Sequence, residues 1–215
     1  MSKNIVIACL FLLICSCQKK SDNIIDISGV VSDKLSPLPI GQVDVLLEIK
    51  PFGGATFSNS FEELEVTQTN LSGEYNLSFQ NSNAVEYRIT YSKLGCFSEQ
   101  ELINPDQLSL EDINFINATM YSSSYLVLNV VNSSPYNNND ELVLNTSLES
   151  SSIGSCFNTI VTLLGANVDT TISCQIYGNQ TVDFEYIVTK DNFTTAYSDA
   201  VYCEPGDTIY KVINY

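Results

Sequence analysis

Apolar and polar residues alternate with a period of two through almost every segment of this chain, and no other feature restricts its fold as much. Val43, Val45, Leu47 and Ile49 share one side of a strand, with Gln42, Asp44 and Glu48 on the other. Tyr75, Leu77 and Phe79 repeat the pattern, as do Val85, Tyr87, Ile89 and Tyr91, then Leu126, Leu128 and Val130, then Val182, Phe184, Tyr186 and Val188. Successive side chains of a strand point to opposite faces, so each segment offers one face to a core and one to water. Turn clusters separate the segments at short intervals: Ser36-Pro37-Leu38-Pro39, Asn70 to Gly73, Asn81 to Asn83, Asn137 to Asp140 and Glu204 to Asp207. Short alternating strands at this spacing, with no convincing helical pattern between them, predict an all-β protein made of antiparallel β-sandwiches.

The clearest boundary is the polar run Met120-Tyr-Ser-Ser-Ser124, after the strand expected around Ile113 to Ile116 and before one beginning at Tyr125. It divides the chain into domains at 26–120 and 121–215, each near the size of one seven-strand sandwich. The architecture expected is two tandem sandwiches, the second immunoglobulin-like. Its ending, Glu204-Pro-Gly-Asp207 followed by Thr208 to Tyr215, reads as a turn and a closing edge strand.

The N-terminus has one positive charge at Lys3, an apolar run from Ile5 to Ile14, and then Cys15-Ser16-Cys17. The apolar run is about half of the roughly 20 residues a bilayer requires, so it reads as a secretory signal peptide, 1–16, and not as a membrane span. Ile14, Cys15 and Ser16 ahead of Cys17 resemble the bacterial lipobox, in which the cysteine after two small residues receives the lipid. The resemblance implies cleavage before Cys17 and acylation of its thiol. Several acyl chains, at about 0.8 kcal/mol per buried methylene, hold a protein at a membrane permanently. Residues 17–25, beginning Gln18-Lys19-Lys20-Ser21-Asp22, read as a flexible tether. Gln18 stands where Asp marks inner-membrane retention, so the expected location is the outer membrane of a Gram-negative bacterium, at the cell surface or on the periplasmic face.

Charge and composition remove several functions. There are 25 acidic against 9 basic residues, a net charge of −16 that grows by one when Lys3 leaves with the signal peptide. Such a surface repels phosphate backbones, so nucleic acid is excluded as a partner. Histidine is absent, which removes Ser-His-Asp and Cys-His triads, histidine zinc sites and imidazole acid-base chemistry. No catalytic residue, metal site or cofactor is assigned, and the chain is read as not an enzyme. A carboxylate-pair glycan hydrolase is the minor alternative, because such a pair needs only two acids about 5 to 10 Å apart in a cleft.

Four cysteines follow Cys17: Cys96, Cys156, Cys174 and Cys203. An even number in an oxidising compartment suggests two disulfides. Gly165 lies midway between Cys156 and Cys174. If the runs on either side of it form a hairpin, these two cysteines face each other, and a bridge there contributes about 3 kcal/mol. Cys96 and Cys203 are then left to pair between domains or to stay free.

The first half also resembles a known family. Gly29-Val-Val-Ser-Asp33, then Pro39-Ile40-Gly41-Gln42-Val43-Asp44-Val45, then Thr69-Asn70-Leu-Ser-Gly73-Glu-Tyr75, then Tyr87-Arg-Ile89 leading to Lys93-Leu-Gly95, are similar to the carboxypeptidase regulatory-like domain. The resemblance implies a transthyretin-like (prealbumin-like) sandwich in an extracytoplasmic setting and implies no activity. Pro39 and Gly41 are expected to turn the chain between the first two strands, and Asn70 to Gly73 to form a tight hairpin turn. The chain departs from the family at Cys96-Phe97 and in the long loop Pro51 to Glu63.

Three groups of residues are candidate sites. Phe52, Phe57 and Phe61 lie among Gly, Ser and Asn on one loop, where exposed rings suit a sugar or a partner, or else fold back onto the core. Glu62, Glu63 and Glu65, and the pair Asp140-Glu141, lack the spacing that wraps calcium and read as solvated carboxylates. Tyr121, Tyr125 and Tyr136, with Tyr197, Tyr202, Tyr210 and Tyr215, are candidates for a binding face or ordinary strand residues. The function expected is a non-catalytic, membrane-anchored binding module for a partner protein or a glycan, with a structural spacer as the alternative.

Overall fold

The structure, a computed structural model, describes residues 23–52, 60–147 and 160–215. The leader with Cys17 therefore lies outside the described residues, as do Phe57 and Cys156. Among the described residues no helix is long and apolar enough to cross a membrane, and the helical content is one short 3-10 turn at Pro105–Gln107.

The first half forms β1 (Ile24–Asp33), β2 (Asp44–Pro51), β3 (Glu62–Gln68), β4 (Glu74–Gln80), β5 (Ala84–Ser92), β6 (Glu99–Ile103), β7 (Asn114–Phe115) and β8 (Ala118–Met120). They make two sheets, β4-β1-β7 with β8 also on β1, and β3-β2-β5-β6. The alternation buries one face of each: Val43, Val45, Leu47, Tyr75, Leu77, Tyr87, Ile89 and Tyr91 meet in one core. Val85 is the exception. It starts β5 where the pairing with β2 shifts at Lys50/Pro51, and it stays exposed.

β7 and β8 act as one last strand, broken at Ile116-Asn117 where it passes Gly29. A Cβ on Gly29 would lie 1.7 Å from the Ile116 carbonyl oxygen, so only glycine lets the two backbones cross there.

The second half forms β9 (Ser123–Val131), β10 (Glu141–Ser147), β11 (Val161–Leu164), β12 (Asp169–Tyr177), β13 (Gln180–Lys190), β14 (Phe193–Cys203) and β15 (Thr208–Asn214). Its sheets are β12-β9-β15 and β11-β10-β13-β14, around a separate core of Leu126, Leu128, Leu142, Leu144, Val182 and Phe184.

The two sandwiches share one topology. In each, the first strand lies between the fourth and the last, and the second lies between the third and the fifth, with the sixth outside. In each, the last strand runs parallel to the first while the other pairings are antiparallel. An immunoglobulin sandwich keeps its first and second strands in one sheet. Here β9 and β10 lie in different sheets, so the second sandwich follows the strand order of the first in place of the immunoglobulin order expected for it. The cause is local: Ser133 to Asn139 cross between the sheets, held by the carboxylate of Asp140.

The same reasoning corrects two turns. Asn70 to Gly73 is tight, with the Gly73 N–H donating to Asn70 O at 2.9 Å and Gly73 at φ 75°, but it joins β3 and β4 of different sheets and is not a hairpin. The runs flanking Gly165 become β11 and β12, which likewise belong to different sheets, so they do not pair as a hairpin.

Because the last strand runs parallel to the first, the chain enters each sandwich at one end and leaves at the other. The polar run at Met120 to Ser124 is extended and carries β8 almost directly into β9. The Lys34 N–H donates to Met120 O, the Phe97 N–H to Tyr121 O, and the Ser123 N–H to Gly95 O, at 2.8 to 2.9 Å. The Tyr121 ring stacks on Tyr177 of β12 at 3.8 Å, with the Lys34 ammonium 4.7 Å from the Tyr121 ring centre and Phe97 edge-on to Tyr177. The sandwiches therefore stand end to end.

Candidate functional site

The outer face of β10, β13 and β14 carries a groove of about 490 Å³. Register builds it. Val143 lies opposite Ile187, and Ile187 opposite Ala196; one step along, Asn145 lies opposite Glu185, and Glu185 opposite Ser198. An apolar row thus runs beside a polar one, with Ile160 at the rim. Ile187 is 45 % exposed on a face that otherwise carries Thr181, Asp183 and Glu185. Tyr186 and Tyr197 border the groove and stack on each other at 5.3 Å, their planes 16° apart. Apolar lining with a few polar groups is the usual make-up of a ligand site. The sequence carried a signal for it: Tyr186-Ile187-Val188 breaks the alternation, placing one apolar residue on the polar side.

The phenylalanine loop is only partly described. Phe52 is exposed. Phe61 lies beneath the Arg88 guanidinium, 4.0 Å from ring centre to Cζ, and Arg88 in turn donates to both carboxylate oxygens of Glu48 at 2.6 and 2.8 Å. Phe61 is thus engaged with its own sandwich. Phe57 lies outside the described residues.

The acidic candidates separate. Glu62, Glu63 and Glu65 lie along the edge strand β3, and no group of three metal-binding side chains gathers among the described residues. Asp140 is fully buried, not solvated. Its Oδ2 accepts from Asn132 Nδ2 and the Tyr136 N–H, and its Oδ1 from the Asn137 N–H, at 2.8 to 3.0 Å. Lys190 Nζ donates to Asn132 Oδ1 and Ser134 O, and lies 4.9 Å from the Tyr215 ring centre. Burial alone would raise the Asp140 pKa, but these hydrogen bonds and the Lys190 charge hold it below the ordinary carboxylate value. Asp33 is a second such anchor, accepting from the Leu35, Ser36 and Ser122 N–H groups at the junction.

The tyrosines do not converge. Tyr121 belongs to the junction and Tyr215 to the Lys190 cluster. Tyr197 and Tyr202 fall on opposite faces of β14, Tyr125 and Tyr210 lie exposed on the other sheet, and Tyr136 sits on the crossing loop. Among the cysteines, Cys174 is a half-cystine whose partner lies outside the described residues. Cys96 and Cys203 are free, so of the two outcomes expected for them the structure has the unpaired one. Burial pushes the Cys203 thiol up to about 11.

No protein-family model and no curated protein sequence matches this chain. Among solved structures, it is similar to the shaft pilin SpaA from Lactobacillus rhamnosus GG (11 % identity, 89 % of this chain and 97 % of that one, TM-score 0.34). It is also similar to the Bacillus anthracis TIE protein (10 %, 89 % and 34 %, TM-score 0.39). The third is GBS52, the minor pilin of Streptococcus agalactiae (13 %, 88 % and 94 %, TM-score 0.34).

Proposed function

We propose that this chain is a non-catalytic outer-membrane lipoprotein, held by acyl groups on Cys17, whose second sandwich presents a binding groove for a partner protein or a glycan. The observation that carries this reading is the groove itself. Val143, Ile187 and Ala196 form an apolar row on the water-facing side of a sheet in a chain of net charge −16, and contiguous apolar surface of that kind marks an interaction site. The first sandwich is read as a carboxypeptidase regulatory-like domain: Gly29 and Gly73, both in the motif, sit where a Cβ would strike Ile116 O or Val31 O.

Ile187→Asp changes an exposed side chain and leaves the core untouched. It should abolish capture of the partner in a pull-down from outer-membrane extracts, or of sugars on a glycan panel, while melting stays as in the parent. Unchanged capture would remove the groove from the function. Cys17→Ser should move the protein to the soluble fraction, and persistent attachment to the membrane would sink the lipidation. Hydrolysis of a glycan panel by the purified protein, lost on one Asp or Glu substitution, would overturn the non-catalytic reading.

A spacer is the second reading, supported by the end-to-end stacking through Tyr121. A spacer keeps its phenotype with Ile187→Asp and loses it when the junction is loosened.

A further inference from the structure

An amine, a carboxamide and a carboxylate meet at the end of the second sandwich opposite the junction. β9 stops at Val131 and Asn132 follows it, its backbone N–H donating to Val168 O at 2.9 Å and its side chain buried. Three hydrogen bonds fix that carboxamide. Its Nδ2 donates to the buried Asp140 carboxylate at 2.9 Å and to Gly165 O at 3.1 Å, and its Oδ1 accepts from Lys190 Nζ at 2.8 Å. Lys190 closes β13, in the other sheet and 58 positions along the chain. Ser134 O accepts a second bond from its ammonium at 2.7 Å, and the Tyr215 ring covers it. The charge of Lys190 acts on Asp140 across the same carboxamide.

Such a trio differs from an ordinary ion pair. Lys211 meets the carboxylate of Asp199, and Lys93 the carbonyl of Gly41. Neither contact sets an amine against a group that it can displace. Lys190 lies against a primary amide whose nitrogen already donates to an acid. In water an amide resists an amine for two reasons: the groups are seldom held in contact, and the leaving nitrogen must be protonated. Fixing both partners in one site removes the first obstacle. A carboxyl group on the leaving nitrogen removes the second. Asn132 and Asp140 are buried, so the nucleophile at hand is the amine and not water.

We propose that Lys190 and Asn132 become joined by an intramolecular isopeptide bond, with Asp140 as its acid and base, stapling together the two sheets of the second sandwich. Asp140 starts as the carboxylate and takes one proton from the Lys190 ammonium. The freed Nζ lone pair adds to Asn132 Cγ, one bond beyond the oxygen it already touches. Asp140 then gives its proton to Nδ2, its own hydrogen-bond donor, and the Cγ–Nδ2 bond breaks. The excess proton on Nζ leaves with that nitrogen. The products are a secondary amide and ammonium, and no oxidant or reductant takes part. β9 and β13 belong to different sheets, so the bond joins layers that no backbone ladder joins. Unlike the disulfide at Cys174, it is untouched by thiols.

This inference stands apart from the groove's ligand, and mass reads it directly. The full-length protein from membranes is reduced, unfolded and digested at Asp and Glu. Asp140 and Glu185 lie between the two residues, so an unlinked chain releases Asn132 and Lys190 in separate peptides. The parent should instead yield one branched peptide, lighter than the two together by about 17 Da, the mass of ammonia. Trypsin should also fail to cut after Lys190. Lys190→Arg keeps the positive charge without the amine and should release separate peptides, and Asp140→Asn, which cannot pass the proton, should do the same. Separate peptides from the parent would overturn the bond. So would ammonia lost from the Asn132 peptide with no branch, which is closure of Asn132 on its own backbone. A branched peptide from Asp140→Asn at the parent's yield would refute the role of Asp140. The parent and Lys190→Arg maps decide the bond even where Asp140→Asn does not fold.

Discussion

Tyr75 and Tyr91 carry their hydroxyl groups into the first core, and each needs a partner there. The Tyr75 hydroxyl donates to Ile116 O at 2.8 Å and lies 3.0 Å from the Tyr91 hydroxyl, which must therefore be the donor between the two. The consequences of removal differ. Tyr75→Phe leaves both the Tyr91 hydroxyl and the Ile116 carbonyl unmatched and should cost about 1–3 kcal/mol, whereas Tyr91→Phe leaves Tyr75 bonded to Ile116 and should cost about 1 kcal/mol or less. Denaturant titration of the two variants measures the order, and a larger loss for Tyr91→Phe would refute this donor assignment. Burial pushes the Tyr75 pKa up to about 12, opposed by the Tyr91 hydrogen bond and aided by Glu101, and burial raises Tyr91 as well. An unfolded tyrosine ionises near pH 10. The stability tied to these groups is therefore complete below about pH 10 and lost as pH rises through the folded values, because the unfolded chain releases its protons first. Alkaline unfolding of the parent should set in over about pH 10 to 12, and a Tyr75→Phe/Tyr91→Phe double variant should lose part of that pH dependence; an identical pH profile of stability in the double variant would contradict it.

At the scale of elements, the free and bonded cysteines report how the strands are placed. Cys203 ends β14 on the core face, fully buried and with a raised pKa, so its thiolate is scarce and screened from reagents. Cys96 is half-buried beside Ser122 at the junction, and burial raises its thiol too. Alkylation of the native protein should therefore label Cys96 slowly and Cys203 only after unfolding. We propose Cys156 as the partner of Cys174, and a peptide map of the non-reduced protein should contain that linked pair. A link from Cys174 to Cys96 or Cys203 would contradict the free thiols. Sequence spacing placed Cys156 and Cys174 near each other for a reason that did not hold: the hairpin about Gly165 is a crossing between sheets. Alternation reveals which face of a strand is buried, but which strand lies beside it depends on how the loops cross, and that is not written in the period.

Across the whole molecule, one topological choice made twice governs the arrangement. A last strand parallel to the first carries the chain out at the end opposite its entry, and Tyr121, stacked on Tyr177 under Lys34, locks the exit of one sandwich to the next. Tyr121→Ala should leave the two cores intact and free the sandwiches to reorient, broadening the distance distribution in small-angle scattering with little change in the melting of either one. An unchanged distribution would mean that the backbone bonds at Met120 to Ser123 suffice. The sequence alone determined the all-β class, the buried faces of β2, β4, β5, β9 and β13, and the exclusion of histidine chemistry, because period, residue type and charge are local properties that survive any arrangement of strands. Only the tertiary structure decided that the second sandwich repeats the first, that Asp140 is a buried anchor and no surface acid, that Phe61 sits under Arg88, and that Val143, Ile187 and Ala196 fall in one row. Each of these depends on registers between strands distant in sequence, and a register is selected by the packing of the whole sandwich.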